Sequence, residues 1–275
     1  MQGSNPNFSI SSPKSSLLYP KIHELVTRIQ NKQPLILNVT NYVTMDFIAN
    51  GLLSLGASPI MIQSTEEVSD LLKISAAVVI NIGTLTDDFL LLCEQVCREA
   101  NQLGIPITLD PVGAGASTYR TKACLNLLEQ FDFAIIRGNS SEIMALSGAQ
   151  ANTKGVDSTM ETHAAIESAQ RLSSQHKAVI VISGKIDAVI DAEQVQLFER
   201  GSSLMPRITG SGCLLSAVTS AFDAVHPQRY EAVSAAVLFY SVCGEIAARK
   251  ANAPGSFKPY FIDALSFLPE LADYT

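Results

Sequence analysis

Short runs of aliphatic residues alternate along the chain with longer stretches in which apolar positions recur every three or four residues. The short runs suit strands buried on both faces, and the longer spacing suits helices with one apolar face. Ile22, Leu25, Val26 and Ile29 open the series as an amphipathic helix ahead of Pro34. Residues 35–39 read as a strand, 45–55 as a helix stopped at Gly56, and 57–61 as a brief extended piece. A helix over 66–73, a strand over 76–80, a long helix over 87–102 closed by Gly104, and a strand over 106–109 follow. The alternation continues with a helix at 122–130, a strand at 133–136, a helix from about Ser140, a helix at 162–175 and a strand at 178–182. Residues 187–191 and 195–199 look like a β-hairpin, and helical patterns near 214–218, 230–250 and 259–271 complete the chain.

Strands alternating with helices imply a parallel sheet with helices packed on its faces, an α/β fold. Ligands in such sheets bind beyond the carboxyl ends of the strands. The polar and glycine residues concentrate there: Asn41, Gly83, Asp110, Arg137 to Asn139, and Ser183-Gly184. A purely structural set of loops would scatter such residues over both ends of the sheet. The stretch Thr209-Gly210-Ser211-Gly212-Cys213 then runs straight into an alanine-rich helical pattern. Its glycines permit close backbone approach, and the unpaired N–H groups of a first helical turn attract anions such as nucleotide phosphates. The same field is expected to favour a thiolate at Cys213. A Gly-x-Gly by itself also suits a plain turn before a core helix, so the rest of the chain decides.

Composition narrows the class. A chain of 275 residues makes one large domain (17–275), preceded by a polar tail over 1–16 whose composition is compatible with disorder. Hydrophobic residues reach 47% against 16% charged, a balance that hints at buried subunit interfaces. The net charge of -7 argues against general nucleic-acid binding. Five cysteines without zinc-like spacing argue against a disulfide framework or a metal cluster, and Cys93 and Cys97 fit core positions on one helix. No apolar run is read as approaching the ~20 residues that span a bilayer, and no signal-peptide pattern opens the chain. The expectation is a cytoplasmic enzyme without a membrane partner.

Asp110 and Glu142 are candidate magnesium partners, since magnesium takes oxygen ligands and often uses one or two carboxylates with substrate phosphates. Glu142 in a first helical turn also suits simple dipole complementation. Arg137, after an apolar strand, calls for a phosphate or a structural salt bridge. Lys154, in a glycine-containing loop, suits a phosphate or plain solvent.

Together these residues resemble the hydroxyethylthiazole kinases of the ribokinase-like superfamily. The resemblance runs from about Leu37 to Phe257 and rests on eight pieces in order. They are Thr40-Asn41-Tyr42-Val43, residues 49–61 from Ala49-Asn50-Gly51 to Pro59-Ile60-Met61, Asn81-Ile82-Gly83-Thr84-Leu85, and Asp110-Pro111-Val112-Gly113-Ala114-Gly115-Ala116. The others are Arg137-Gly138-Asn139-Ser140-Ser141-Glu142, Lys154-Gly155-Val156-Asp157-Ser158, Thr209-Gly210-Ser211-Gly212-Cys213 and Pro254-Gly255-Ser256-Phe257. The resemblance implies a three-layer αβα sandwich with a mostly parallel central sheet. It also implies ATP- and Mg2+-dependent phosphorylation of 4-methyl-5-(2-hydroxyethyl)thiazole in thiamine salvage, by a homotrimer with active sites between subunits.

Carried over residue by residue, the resemblance puts Met61, Gly210 and Asn41 at the thiazole alcohol and Arg137 and Ser183 at ATP. Asp110 and Glu142 fall at the metal, and Cys213 where the alcohol proton is accepted. Most ribokinase-like enzymes have aspartate at the Cys213 position; the thiazole kinases have cysteine. Asp46 stands where asparagine is more usual, and Ser183 where threonine is common. Two alternatives stay open: another small-alcohol kinase or dehydratase of this superfamily, and a non-catalytic thiazole or nucleotide sensor.

Overall fold

The computed structural model describes residues 10–11, 18–148 and 158–274. Most of the tail and the loop that carries Lys154 lie outside them. In the stretch read as a tail, Ile10–Ser11 form a strand (β1) paired in parallel with Val195 and Gln196. Two residues in a polar setting have no periodicity by which to be recognised.

The remaining strands are β2 (Leu35–Val39), β3 (Ser58–Met61), β4 (Ala77–Asn81), β5 (Ile107–Asp110), β6 (Ile135–Asn139), β7 (Val179–Ser183), β8 (Asp187–Ile190) and β9 (Val195–Phe198). They form one sheet in the order β1-β9-β8-β7-β6-β5-β4-β2-β3. Every pairing is parallel except those of β8 with β7 and β9, where the expected hairpin sits. Along β4 the side chains alternate: Ala77 and Val79 enter one core, Val78 and Ile80 the other.

Helices α1 (Tyr19–Lys32), α2 (Met45–Leu55), α8 (Ser211–Asp223), α9 (Arg229–Lys250) and α10 (Pro254–Leu265) cover the first face. The second is covered by α3 (Val68–Leu72), α4 (Asp87–Leu103), α5 (Thr118–Gln130), α6 (Ser140–Leu146) and α7 (Ser158–His176). The result is the expected three-layer αβα sandwich.

Three features depart from the sequence reading. The helix expected over 66–73 splits into a tight turn at Thr65–Glu67, where Ser64 Oγ accepts from the Glu66 N–H, and the short α3. The last long helix starts at Pro254 and ends at Leu265, instead of running over 259–271. Pro254 occupies the first turn, where a missing N–H is harmless, and Pro259 lies inside the helix. A proline in the sequence does not say which of these positions it takes. Finally, α9 is long and apolar enough, by length and composition, to cross a membrane. It is instead a core helix: 78% of its apolar window is buried among the sheet and its helical neighbours.

Candidate active site

Five adjacent strands, β2-β4-β5-β6-β7, each contribute one polar side chain near the carboxyl end, and these side chains form a continuous row. Asn41, two residues past β2, donates from Nδ2 to Asn81 Oδ1 at 2.9 Å. Asn81, ending β4, donates from Nδ2 to Asp110 Oδ2 at 2.7 Å. Asp110, ending β5, faces Arg137 Nη1 of β6 at 3.6 Å. Arg137 Nη2 in turn donates to Ser183 Oγ at the end of β7. Parallel register sets Asn81 opposite Asp110, while Arg137 lies opposite Val181, and its long side chain reaches two residues along β7 to Ser183.

The amino end of α8 sits over the middle of the row. Gly210 caps it at φ +91, where a β-carbon would strain the backbone and also meet Thr44 Cγ2 at 2.8 Å. Gly212 is required by proximity: a β-carbon there would lie 2.5 Å from Arg137 Nη1 and 2.7 Å from Nη2. The guanidinium therefore lies against the helix backbone. One turn later Ser216 Oγ donates to Asp110 Oδ2 at 2.8 Å, fastening α8 to β5.

The two carboxylates differ. Asp110 is fully buried, and burial pushes its pKa up to about 6. Arg137 pulls it down and the charge of Glu142 pushes it up. Its Oδ1 is buried without a hydrogen-bond partner. Such an orphaned oxygen fits a cation. Glu142 spends both oxygens on backbone: Oε1 accepts from the Gly113 N–H at 2.9 Å and Oε2 from the Asn139 N–H at 2.8 Å. Asn139 Oδ1 accepts from the Glu142 N–H in return, completing a capping box on α6. Glu142 thus has the helix-end role foreseen for it and also ties the β5–α5 loop. Among the described residues, no three His, Cys, Asp or Glu side chains gather into a metal-holding cluster. One or two carboxylates are what magnesium needs when phosphates supply further ligands.

Cys213 is half-buried in the first turn of α8, and Asn41 Nδ2 donates to its Sγ at 3.5 Å. The expectation of a favoured thiolate is overturned. Burial pushes the thiol above its ordinary value, and the negative charge of Asp110 adds to the push. Asn81 and Arg137 oppose it without winning. A helix end acts over one turn, but loss of solvent disfavours the charged form more.

A cleft of about 750 Å³ opens at the Ser183 end of the row, walled by Arg137, Ser183, Gly212, Lys185, Arg200 and Tyr240. Cys213 and Asn41 mark the other end of the row. Met61 ends β3, the outermost strand on that side, three strands from Asp110. Asp46, the unusual residue of α2, is exposed and accepts from Asn50 Nδ2 at 3.0 Å on its own helix.

Several organising residues escaped the sequence reading. Asn81 links Asn41 to Asp110, and its place at a strand end was the available signal. Ser216 lies inside a helix and carried no signal. Arg120 donates to the carbonyls of Gly83 at 2.8 Å and Val112 at 3.0 Å, stitching two loops of the site together.

The model of the hydroxyethylthiazole kinase family matches residues 26–270. A hydroxyethylthiazole kinase of Nitratidesulfovibrio vulgaris (strain Miyazaki F) is 44% identical over 245 residues, 89% of this chain and 92% of that one. One from Listeria monocytogenes is 42% identical, over 87% and 90%. Among solved structures, a hydroxyethylthiazole kinase protein of Pyrococcus horikoshii superposes with a TM-score of 0.82 at 34% identity, covering 90% of this chain and 93% of that one. A ribokinase-like superfamily protein of Enterococcus faecalis shares the fold alone, at a TM-score of 0.62, 13% identity, and coverage of 95% and 90%. The polar row, the glycine-capped α8 and the carboxylate pair sit in a ribokinase-like fold, and with the family model matched over residues 26–270 and relatives at 44% and 42% identity along most of the chain, the protein belongs to the hydroxyethylthiazole kinase family.

Proposed function

We propose that this chain transfers the γ-phosphoryl group of ATP to the primary hydroxyl of 4-methyl-5-(2-hydroxyethyl)thiazole. The products are the thiazole phosphate and ADP, a step of thiamine salvage. The observation that carries this reading is the ordered row Asn41-Asn81-Asp110-Arg137-Ser183 with the amino end of α8 over its middle. ATP takes the cleft at the Ser183 end, with Arg137 and Ser183 as its contacts. The alcohol takes the Cys213 end, with Asn41 and Gly210 beside it. The two substrates then meet at the amino end of α8, where backbone N–H groups face incoming charge.

Phosphoryl transfer depends chiefly on in-line placement and charge neutralisation. Arg137 supplies a positive charge held against Gly212, and the first turn of α8 supplies oriented donors. Magnesium, when bound with the nucleotide, supplies further neutralisation of the phosphate oxygens, and the unpartnered Asp110 Oδ1 with nearby Glu142 fits it. Asn41 holds Sγ of Cys213 in place to receive the alcohol proton.

The proposal includes a cytoplasmic homotrimer with shared active sites, without nucleic-acid or membrane partners. Edge strand β3 and the exposed Tyr42 and Val43, directly after Asn41, support it: apolar side chains beside the acceptor end suit a second copy. Met61, at the end of this edge strand, then lines the thiazole site where the subunits meet.

A coupled ADP-release assay over a panel of alcohols tests the substrate. Saturable, magnesium-dependent turnover is expected with the thiazole alcohol. Turnover of hydroxymethylpyrimidine with none of the thiazole would move the chain to another kinase of the fold. Nucleotide binding without turnover of any alcohol would make it a sensor.

A further inference from the structure

We infer that Asp187 is a positioning residue for the nucleotide end of the site, latching the Ser183–Gly184 turn to α9 so that the Ser183 hydroxyl stays on Arg137. The inference rests on reading the cleft as the ATP site. Asp187 opens β8, directly after the turn that leaves β7 at Ser183. Its Oδ1 accepts from the Gly184 N–H at 3.0 Å, closing the turn from inside. Its Oδ2 accepts from Ser241 Oγ of α9 at 3.0 Å.

Both partners lead back to the cleft. Ser183, beside Gly184, takes the hydrogen bond from Arg137. Tyr240, beside Ser241, donates from its hydroxyl to the Ser211 carbonyl at 2.6 Å, at the start of α8. One carboxylate thus joins two walls directly, the β7–β8 turn and α9, and the neighbouring Tyr240 ties α9 on to the start of α8.

A carboxylate is an expensive choice for this place. Asp187 is only 8% exposed, and burial pushes its pKa up to about 6 against the pull of Gly184, Ser241 and Arg137. A turn between antiparallel strands does not need a buried charge; glycine and asparagine suffice. The two-sided acceptor geometry is what distinguishes Asp187. A purely structural role would link β8 to α9 without regard to ATP.

The test compares Asp187→Ala, Asp187→Asn and Ser241→Ala in the full chain by steady-state kinetics and ADP titration calorimetry. Losing the latch raises the ATP KM about tenfold in Asp187→Ala and about fivefold in Ser241→Ala, the scale of one or two buried hydrogen bonds. The KM for the alcohol stays within about twofold, because the acceptor end is untouched. Asp187→Asn keeps an acceptor for Gly184 and offers a donor to Ser241, so it stays within about threefold of the parent.

An Asp187→Ala chain that folds and keeps its ATP KM overturns the latch, as does an equal loss for both substrates. If that variant does not fold, Ser241→Ala decides: an unchanged ATP KM overturns the inference. A parent chain that binds no ADP overturns the reading of the cleft itself, a result separate from failure of the latch.

Discussion

In the proposed transfer, Cys213 accepts a proton from a place that discourages negative charge. Burial and Asp110 hold its thiol above the ordinary value, so the thiolate fraction is small at neutral pH and rises as pH rises. If the thiolate is the base, kcat should still be climbing at about pH 8.5. Cys213→Asp should flatten that profile, because a carboxylate is ionised well below it, and should clearly exceed Cys213→Ala. The alanine variant should keep residual turnover from positioning and phosphate neutralisation alone. Equal rates for the two variants, across the pH range, would remove Cys213 from proton transfer. Residues at this scale were legible when their chemistry clashed with their surroundings. Asp110 and Arg137 stand at the ends of apolar strands, and such charges call for partners. Asn81 and Ser216 raise no such conflict, because a neutral amide or hydroxyl hides easily in a strand end or a helix. The field at Cys213 was misjudged because its burial depends on packing, which the local sequence does not contain.

The decisive element is α8, whose first turn must approach Arg137 without a side chain between them. Gly212→Ala places a methyl group 2.5 Å from Nη1, forcing the guanidinium away from Ser183. We expect the ATP KM to rise and kcat to fall by about tenfold or more, the penalty for misplacing a charge that must face the phosphates. Circular dichroism should show an unchanged fold, since alanine suits a helix. Kinetics like those of the parent would mean that Arg137 does not act from this position. Most elements could be read from periodicity, because each buries one face or both in a single place. The failures are instructive: Pro259 looks like a helix start and is interior, and β1 is too short for any period. The long α9 is legible as a helix over 230–250 even though burial over most of its length leaves it almost no polar face.

At the scale of the molecule, the proposed arrangement separates the two substrates along the width of the sheet and brings them together under one helix end. Met61 ends the edge strand β3 beside β2 and the acceptor end, and in the proposed assembly this edge meets a neighbouring subunit. Sedimentation equilibrium should therefore find a trimer, and Met61→Ala should raise the KM for the alcohol while sparing that for ATP. A fully active monomer would contradict both the assembly and the shared site. The layered fold could be read from alternation, but assembly could not, since no pattern within one chain marks which exposed apolar residues meet a copy. Phosphoryl transfer across the row is measured most directly by phosphorus NMR of the parent chain with ATP, magnesium and the thiazole alcohol. A new phosphate-monoester resonance should grow in step with ADP and be absent when magnesium is chelated; ATP consumption that yields only inorganic phosphate would rule out transfer to the alcohol.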